Sequence, residues 1–157
     1  MSNILEAFGT SNQAITCTFT SLGTAGQRQS TVIDNTSNLF LDALVFIKFK
    51  TGSGTNNTGV VNVYAYATVD GGTTYTDGAT GSDSGITLTV PPNAKLIGTL
   101  NTVADTTTYY GGPFSVAGAF GGTLPAKWGI IIENLSGATS DSSVGSAYYQ
   151  GKYNTVA

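Results

Sequence analysis

The chain contains no histidine among its 157 residues and only one cysteine, Cys17. The absence of histidine removes the commonest general base and the commonest metal ligand of proteins. A single cysteine excludes an intrachain disulfide framework and cysteine-rich zinc sites. We therefore expect no enzyme activity, no cofactor and no metal site.

Charge is also scarce, because Asp, Glu, Lys and Arg make up 10% of the chain, against about 25% in an average soluble domain. The formal net charge is −3, and this acidic balance with a single arginine argues against nucleic acid as a partner. Polarity comes instead from Gly, Thr, Ser and Asn. The hydrophobic fraction of 40% argues against disorder, and the length suits one domain.

Long hydrophobic runs are missing as well. The longest, residues 43–49, is interrupted by Lys48 and is far shorter than the roughly 20 residues that cross a bilayer. The first residues, MSNILEAFGTSN, have neither the basic region nor the apolar stretch of a signal peptide. We expect folding in a cytosol and no membrane partner.

What the chain does contain is alternation with a period of two. Residues 14–19 place Ile15, Cys17 and Phe19 on one side and threonines on the other, which is typical of a half-buried strand. No amphipathic helix of ten residues is found, and a short turn near residues 4–8 is the only helical candidate. Candidate strands lie at residues 14–19, 27–34, 43–50, 60–69, 86–90, 95–103, 107–110, 114–117, 128–134 and 147–153. Eight to ten short strands at this spacing predict an all-β fold, a single antiparallel sandwich or barrel.

We divide the chain into an N-terminal arm, residues 1–12, and one β-sandwich domain, residues 13–157. The arm carries Ile4, Leu5 and Phe8, which would share one side of a helical turn or an extended hook. We expect these three side chains to contact a partner. The alternative is that the segment forms a first strand or a cap of the protein's own sandwich.

Tyr64 and Tyr66 share a strand face with Asn62 and Thr68. If that face is exposed, the two tyrosines form a candidate contact surface for a protein or a sugar. In the alternative, the tyrosines face inward and the small residues Ala65 and Ala67 face outward. The sequence leaves both interpretations open.

Acidic residues supply the remaining candidates for chemistry. Asp70, Asp77 and Asp83 lie in one Gly-rich stretch that could bind calcium, although the spacing does not match an EF-hand. Aspartates that bond the backbone of their own turns are the favoured interpretation. A glycosidase pair would need Glu133 beside Asp42 or Asp105, and nothing in the sequence places them together.

The scarcity of charge has a structural consequence. Exposed sheet edges are usually protected by lysine, proline or bulges, and six basic residues provide little of this protection. We therefore expect edges or faces to be buried in a homo-oligomer or a lattice.

Three segments carry a resemblance to a known family: residues 63–75 (VYAYATVDGGTTY), residues 88–93 (LTVPPN) and residues 124–134 (LPAKWGIIIEN). Over residues 13–153 the chain resembles jelly-roll capsid decoration (cement) proteins of tailed bacteriophages. The resemblance implies a jelly-roll sandwich on the exterior of a DNA-filled head, assembled in the host cytoplasm. Its implied partners are the major capsid protein and further copies of itself, with a trimer favoured because capsids have three-fold sites.

The resemblance implies a structural virion protein that bridges capsomers, and it supplies no catalytic residues. The alternative function is a carbohydrate- or receptor-binding jelly-roll module of a phage tail or fibre, using Tyr64, Tyr66 and the loop of residues 70–83. Sugar platforms favour tryptophan, and the single Trp128 lies in an apolar alternating strand. That position favours the capsid interpretation.

Overall fold

The computed structural model describes residues 3–56 and 58–156, and the regular secondary structure of this part of the chain is almost entirely β-strand. Its strands are Ile4–Phe8 (β1), Gln13–Ile15 (β2), Gln27–Gln29 (β3), Ile33–Asp34 (β4), Asp42–Thr51 (β5), Gly59–Thr68 (β6), Ser84–Gly85 (β7), Lys95–Thr102 (β8), Thr108–Ser115 (β9), Lys127–Leu135 (β10) and Ser140–Val156 (β11). A 3₁₀ turn at Thr76–Gly78 and a four-residue helix, Val116–Ala119 (α1), complete the elements. No helix in the described part of the chain is long and apolar enough to span a membrane.

Two antiparallel sheets form the sandwich. Sheet 1 has the strand order β1-β11-β5-β9, with β2 also paired to β11. Sheet 2 has the order β7-β3-β10-β6-β8, with β4 also paired to β10. The predicted all-β antiparallel sandwich is therefore confirmed, while the jelly-roll connectivity stays a prediction.

The main core lies between the sheets and follows the period-two pattern. In β5 the alternate residues from Ala43 to Phe49 are buried, and the same holds for Val61, Val63 and Ala65 in β6. Trp128 is fully buried in β10, as expected for the apolar face of a central strand. The alternation in the sequence predicts these inward faces correctly.

A second, smaller core lies on the outer face of sheet 2. Tyr64, Tyr66 and Ile131 point away from the main core, and the chain of residues 75–94 folds back over them. Leu88 and Ala94 of that covering segment are buried against the tyrosines. The central strands of sheet 2, β6 and β10, are therefore buried on both faces over much of their length.

Several strand boundaries differ from the predicted ones. The ladder of the first sandwich strand stops at Ile15, although the alternation of burial continues to Phe19. The candidate strands at 107–110 and 114–117 form one strand, β9, with a register shift, followed by α1. Residues 86–90 pair in no ladder, because they belong to the covering segment instead.

The helical turn expected near residues 4–8 is wrong. This segment forms β1 and pairs with the end of β11, from Ile4 opposite Val156 to Phe8 opposite Lys152. In a strand, Ile4 and Phe8 lie on one face and Leu5 on the other, so the three side chains do not share one side. The structure agrees with the alternative of a strand of the protein's own sandwich, but it leaves all three side chains exposed.

Candidate functional site

The two ends of the sandwich differ in what they expose. One end, which we call the apolar end, is formed by residues 35–41, 69–76 and 116–126 together with β1 and residues 153–156 of β11. The opposite end, which we call the polar end, is formed by residues 20–26, 52–56, 103–107 and 136–139. Eight of the large exposed hydrophobic side chains belong to the apolar end: Ile4, Leu5, Phe8, Leu39, Leu41, Val69, Tyr153 and Val156.

β1 and the end of β11 form a two-stranded ribbon. The pairing of β11 with β5 ends at Lys152 opposite Asp42, and residues 153–156 pair with β1 alone. Neither face of this ribbon is fully covered, so Ile4 is 73% exposed and Val156 is 68% exposed. An isolated two-stranded ribbon is marginally stable in water. The ribbon is therefore a region that gains from a further contact.

Val69 is exposed because of where β6 ends. Val61, Val63, Ala65 and Ala67 face the main core, and Val69 continues that series. The ladder stops at Thr68, however, so Val69 lies beyond the partner sheet and is fully exposed. The turn that follows is fixed by the carboxylate of Asp70, which accepts a hydrogen bond from the Thr73 amide at 2.9 Å.

The same carboxylate is held in its charged form. Hydrogen bonds from the Thr68 hydroxyl, and then from Thr74, hold the pKa of Asp70 well below its usual range. The carboxylate is therefore charged at neutral pH and accepts these hydrogen bonds. Asp70 thus accepts hydrogen bonds from the backbone of its own turn, as the favoured interpretation of the sequence predicts.

Leu39 is exposed by a second fixed turn. The buried side chain of Asn35 binds the backbone of Phe40 twice, accepting from its N–H and donating to its C=O, both at 2.9 Å. Leu39 has a φ of 53°, in the left-handed region that non-glycine residues adopt infrequently. The turn thus holds Leu39 outward, and the side chain is 71% exposed.

Shallow clefts connect two of these side chains, Leu39 and Val69. A cleft of about 510 Å³ is lined by Val69, Tyr75, Phe120 and Pro125 among others. A second cleft of about 390 Å³ is lined by residues that include Leu39 and Leu124. A small cleft that shares Val69 with the first and Thr36 and Ala126 with the second lies between them. The apolar end is therefore a furrowed surface rather than a deep pocket.

Four of the charged groups at this end form two pairs. Lys152 Nζ lies 3.0 Å from Glu6 Oε1 on the ribbon, and Lys127 Nζ lies 3.8 Å from Asp34 Oδ2 beside the turns. Pairs at exposed positions contribute little stability, in the range of about 0–1 kcal/mol. They do leave this surface with no net charge from these four groups, which suits contact with an apolar partner surface.

The residues predicted for partner contact divide into an exposed group and a buried group. Ile4, Leu5 and Phe8 lie exposed on the ribbon, so their contact with a partner stays a prediction. Tyr64 and Tyr66 are at most 9% exposed, and the expectation of an exposed tyrosine pair is wrong. The covering segment buries them, an arrangement that neither sequence interpretation contained, since Ala65 and Ala67 face the main core.

The three aspartates of the Gly-rich stretch do not gather. Asp77 accepts hydrogen bonds from the amides of Asn93 and Ala94, at 2.8 and 2.6 Å. Asp83 pairs with Arg28, with 2.6 Å between Oδ1 and Nε. Burial alone would raise the pKa of Asp83, but the hydrogen bonds from Arg28 and Thr18 outweigh it and lower the pKa. Each carboxylate therefore fixes a different segment of the loops through its own hydrogen bonds.

The other candidates for chemistry are also dispersed. Glu133 accepts hydrogen bonds from Gln27, Asn62 and Tyr64, whereas Asp42 bonds Ser115 and the Ala117 amide. Within residues 3–56 and 58–156, no group of three or more His, Cys, Asp or Glu side chains could hold a metal ion. Cys17 is buried, and this burial raises the pKa of its thiol far above the ordinary value.

Five residues of the apolar end were not singled out from the sequence: Leu39, Leu41, Val69, Tyr153 and Val156. Leu39 and Leu41 follow the turn-forming run DNTSN, and an apolar pair next to such a run is a signal that could have been used. Val69 gives no such signal, because it continues an inward-facing series. Only the end of the sheet exposes it.

A scan against protein-family models, a search of curated proteins and a search of solved structures each found no match to this chain.

Proposed function

We propose that the chain is a non-catalytic structural protein of a virion that decorates a phage capsid, with its apolar end seated on the capsid shell. The observation that carries the proposal is the exposure of eight large apolar side chains at this end. Two of them stand on turns that Asn35 and Asp70 fix by hydrogen bonds. A surface that is ordered before it binds loses less conformational entropy on association.

The size of the surface supports a specific contact. Each large apolar side chain offers about 150–200 Å², and at the observed exposures the eight together leave on the order of 800 Å². Stable protein interfaces bury about 800 Å² on each partner. The exposed apolar area of this end, summed over both faces of the ribbon and the two turns, is therefore comparable to one side of such an interface.

The choice of a capsid as the partner rests on the resemblance of residues 13–153 to decoration proteins. The proposed partners are the major capsid protein and further copies of the chain on the capsid exterior. The alternative of a carbohydrate- or receptor-binding module relied on an exposed Tyr64 and Tyr66 face. Because that face is covered, we do not propose it as a second function.

The test is co-sedimentation with empty heads assembled from a major capsid protein encoded in the same genome as this chain. We expect saturable binding by the wild type and at least a tenfold loss of affinity for the double variant Leu39→Asn, Val69→Asn. Burying two such side chains contributes about 1.5–3 kcal/mol each. Asparagine also tolerates the left-handed backbone at position 39.

The matched control is Val103→Asn, which changes an exposed valine at the polar end. This variant should bind like the wild type, and all three proteins should melt within a few degrees of one another. Failure of the wild type to bind heads, or equal binding by the double variant, would contradict the proposal.

A further inference from the structure

The exposed edge of β1 distinguishes this strand from the other sheet edges of the molecule. β2, β4 and β7 have only two or three residues each. β8 begins with Lys95, and its pairing with β6 has a register shift. β9 contains Pro113 and has a register shift as well. Short length, lysine, proline and bulges are the devices that protect edges from pairing with another chain.

β1 has none of these devices. It is the terminal strand of sheet 1, with five residues, ILEAF, that pair with β11 in one unbroken register. It contains neither proline nor lysine. β8 and β9 also face each other, and the Phe114 ring fills the space above Gly98. Apart from the last four residues of β11, which pair with β1 alone, β1 is therefore the regular and uncovered edge of the described chain.

The direction of the backbone groups on β1 follows from the ladder. The Gly9 amide donates to the Gly151 carbonyl at 2.8 Å, one step beyond Phe8 opposite Lys152. Hydrogen-bonded pairs alternate along an antiparallel ladder, so Ala7 and Leu5 direct their N–H and C=O groups toward β11. Ile4, Glu6 and Phe8 then direct theirs toward the open edge.

We propose that this edge pairs with β1 of a second copy of the chain, antiparallel and about a two-fold axis at Glu6. An antiparallel pairing of identical strands is self-complementary, as a two-fold interface requires. Ile4 of one copy then lies opposite Phe8 of the other, and the three outward-directed residues form about six backbone hydrogen bonds. The two ribbons become one four-stranded sheet, of a size that is stable in water.

The charges near the two-fold axis are compatible with this register. The two Glu6 side chains would be neighbours, which alone is unfavourable. Each Glu6 already has Lys152 of its own chain 3.0 Å away, so the four charges lie in the order Lys, Glu, Glu, Lys and each carboxylate has a cation beside it. The faces of the ribbon stay free, and the capsid contact proposed above uses those faces rather than the edge.

This inference specifies the self-association within the proposed function. It assigns a two-fold contact in place of the three-fold one expected from the resemblance. Native mass measurement at micromolar concentration should therefore find a dimer. A monomer or a trimer would overturn the inference, because a two-fold edge pairing closes at two copies.

Cross-linking tests the register itself. Opposed residues of a hydrogen-bonded pair lie about 5.5 Å apart between Cα atoms, within the roughly 4.4–6.8 Å that a disulfide bridges. Glu6→Cys should form a disulfide-linked dimer under mild oxidation, whereas Leu5→Cys, which lies opposite Ala7 of the second copy, should give at least tenfold less. The native thiol of Cys17 is buried and contributes little background. Equal cross-linking of the two variants, or none in Glu6→Cys, would contradict the register.

A proline substitution separates pairing from folding. Glu6→Pro removes an N–H that points to the open edge, so the ladder with β11 loses no hydrogen bond. This variant should be monomeric with a melting temperature within a few degrees of the wild type, and Glu6→Gln should remain a dimer. If Glu6→Pro unfolds, deletion of residues 1–11 serves instead, and a dimer that survives the deletion would overturn the inference. A monomeric wild type that still binds heads would overturn this inference alone, and a dimer that fails to bind heads would overturn only the proposed function.

Discussion

The two ends of the sandwich use the same side-chain chemistry for different results. At the polar end, the fully buried Asn134 side chain donates to the carbonyls of Leu22 and Ala138, both at 2.8 Å. The Ser140 hydroxyl donates to the Phe19 carbonyl at 2.6 Å and accepts from the Leu22 amide. The loops at this end are therefore tied to the interior of their own domain.

At the apolar end, Asn35 and Asp70 fix turns in a comparable way, but each turn presents an exposed apolar side chain. An asparagine or aspartate next to a loop thus does not tell whether the loop closes the protein or presents a surface to a partner. The difference lies in which side chains the fixed turn directs outward. At the polar end, buried side chains form hydrogen bonds with the backbone of their own loops. At the apolar end, hydrophobic side chains stay exposed, and only another molecule can cover them.

The largest effect in this comparison is expected at the centre of the polar end. Asn134→Ala should lower the free energy of unfolding by about 3–4 kcal/mol, since it leaves several buried backbone groups without partners. Urea denaturation measures this loss, and Asn101→Ala, at an exposed position on β8, should change stability by less than about 0.5 kcal/mol. Similar losses for both variants would show that Asn134 does not organise this end.

Alanine substitutions at two glycines, one near each end, test how rigid the two ends are. A Cβ at Gly52 would collide with the backbone carbonyl of Thr139, whereas a Cβ at Gly151 would collide with the Phe40 ring. Phe40 is half-buried and can turn outward, but the carbonyl cannot move without its loop. We expect Gly52→Ala to cost about 2 kcal/mol and Gly151→Ala about 1 kcal/mol. The reverse order in urea denaturation would mean that the apolar end is the more rigid one.

The smallest effect is the pH dependence of two aspartates, Asp70 in its turn at the apolar end and Asp141 in the irregular start of β11 next to the polar end. The Thr68 hydroxyl, followed by Thr74, lowers the pKa of Asp70, and Lys50, followed by Ser143, lowers the pKa of Asp141. A lowered pKa in the folded state gives stability that is present above the unfolded pKa, near 4, and is lost as the pH falls below it.

Asp70→Asn and Asp141→Asn should therefore melt slightly below the wild type at pH 7, with each difference shrinking between pH 4 and pH 2. Melting curves across this range measure the effect. A difference that grows as the pH falls would contradict the sign, and a difference for one aspartate only would show that the two carboxylates are not equivalent.

The alternation of apolar and polar residues was enough to predict the architecture. The inward faces of β5, β6 and β10 follow from period two, because each strand buries one face against the other sheet. The covered outer face of sheet 2 could not be predicted in this way. Whether Tyr64 and Tyr66 meet water depends on where residues 75–94 fold, and the alternation within one strand does not encode the path of the segment that follows it.

The candidate site, like the fold, has features that the sequence predicts and features that only the tertiary structure determines. The sequence by itself identified Ile4, Leu5 and Phe8 as apolar residues in a polar segment, and it indicated that the strand edges lack protecting charges. Only the tertiary structure decided that this segment is the edge strand of sheet 1 and that Val69 lies past the end of its ladder. The physical reason is that alternation reports the environment of neighbouring residues, while exposure at an edge or an end depends on where the partner strands stop.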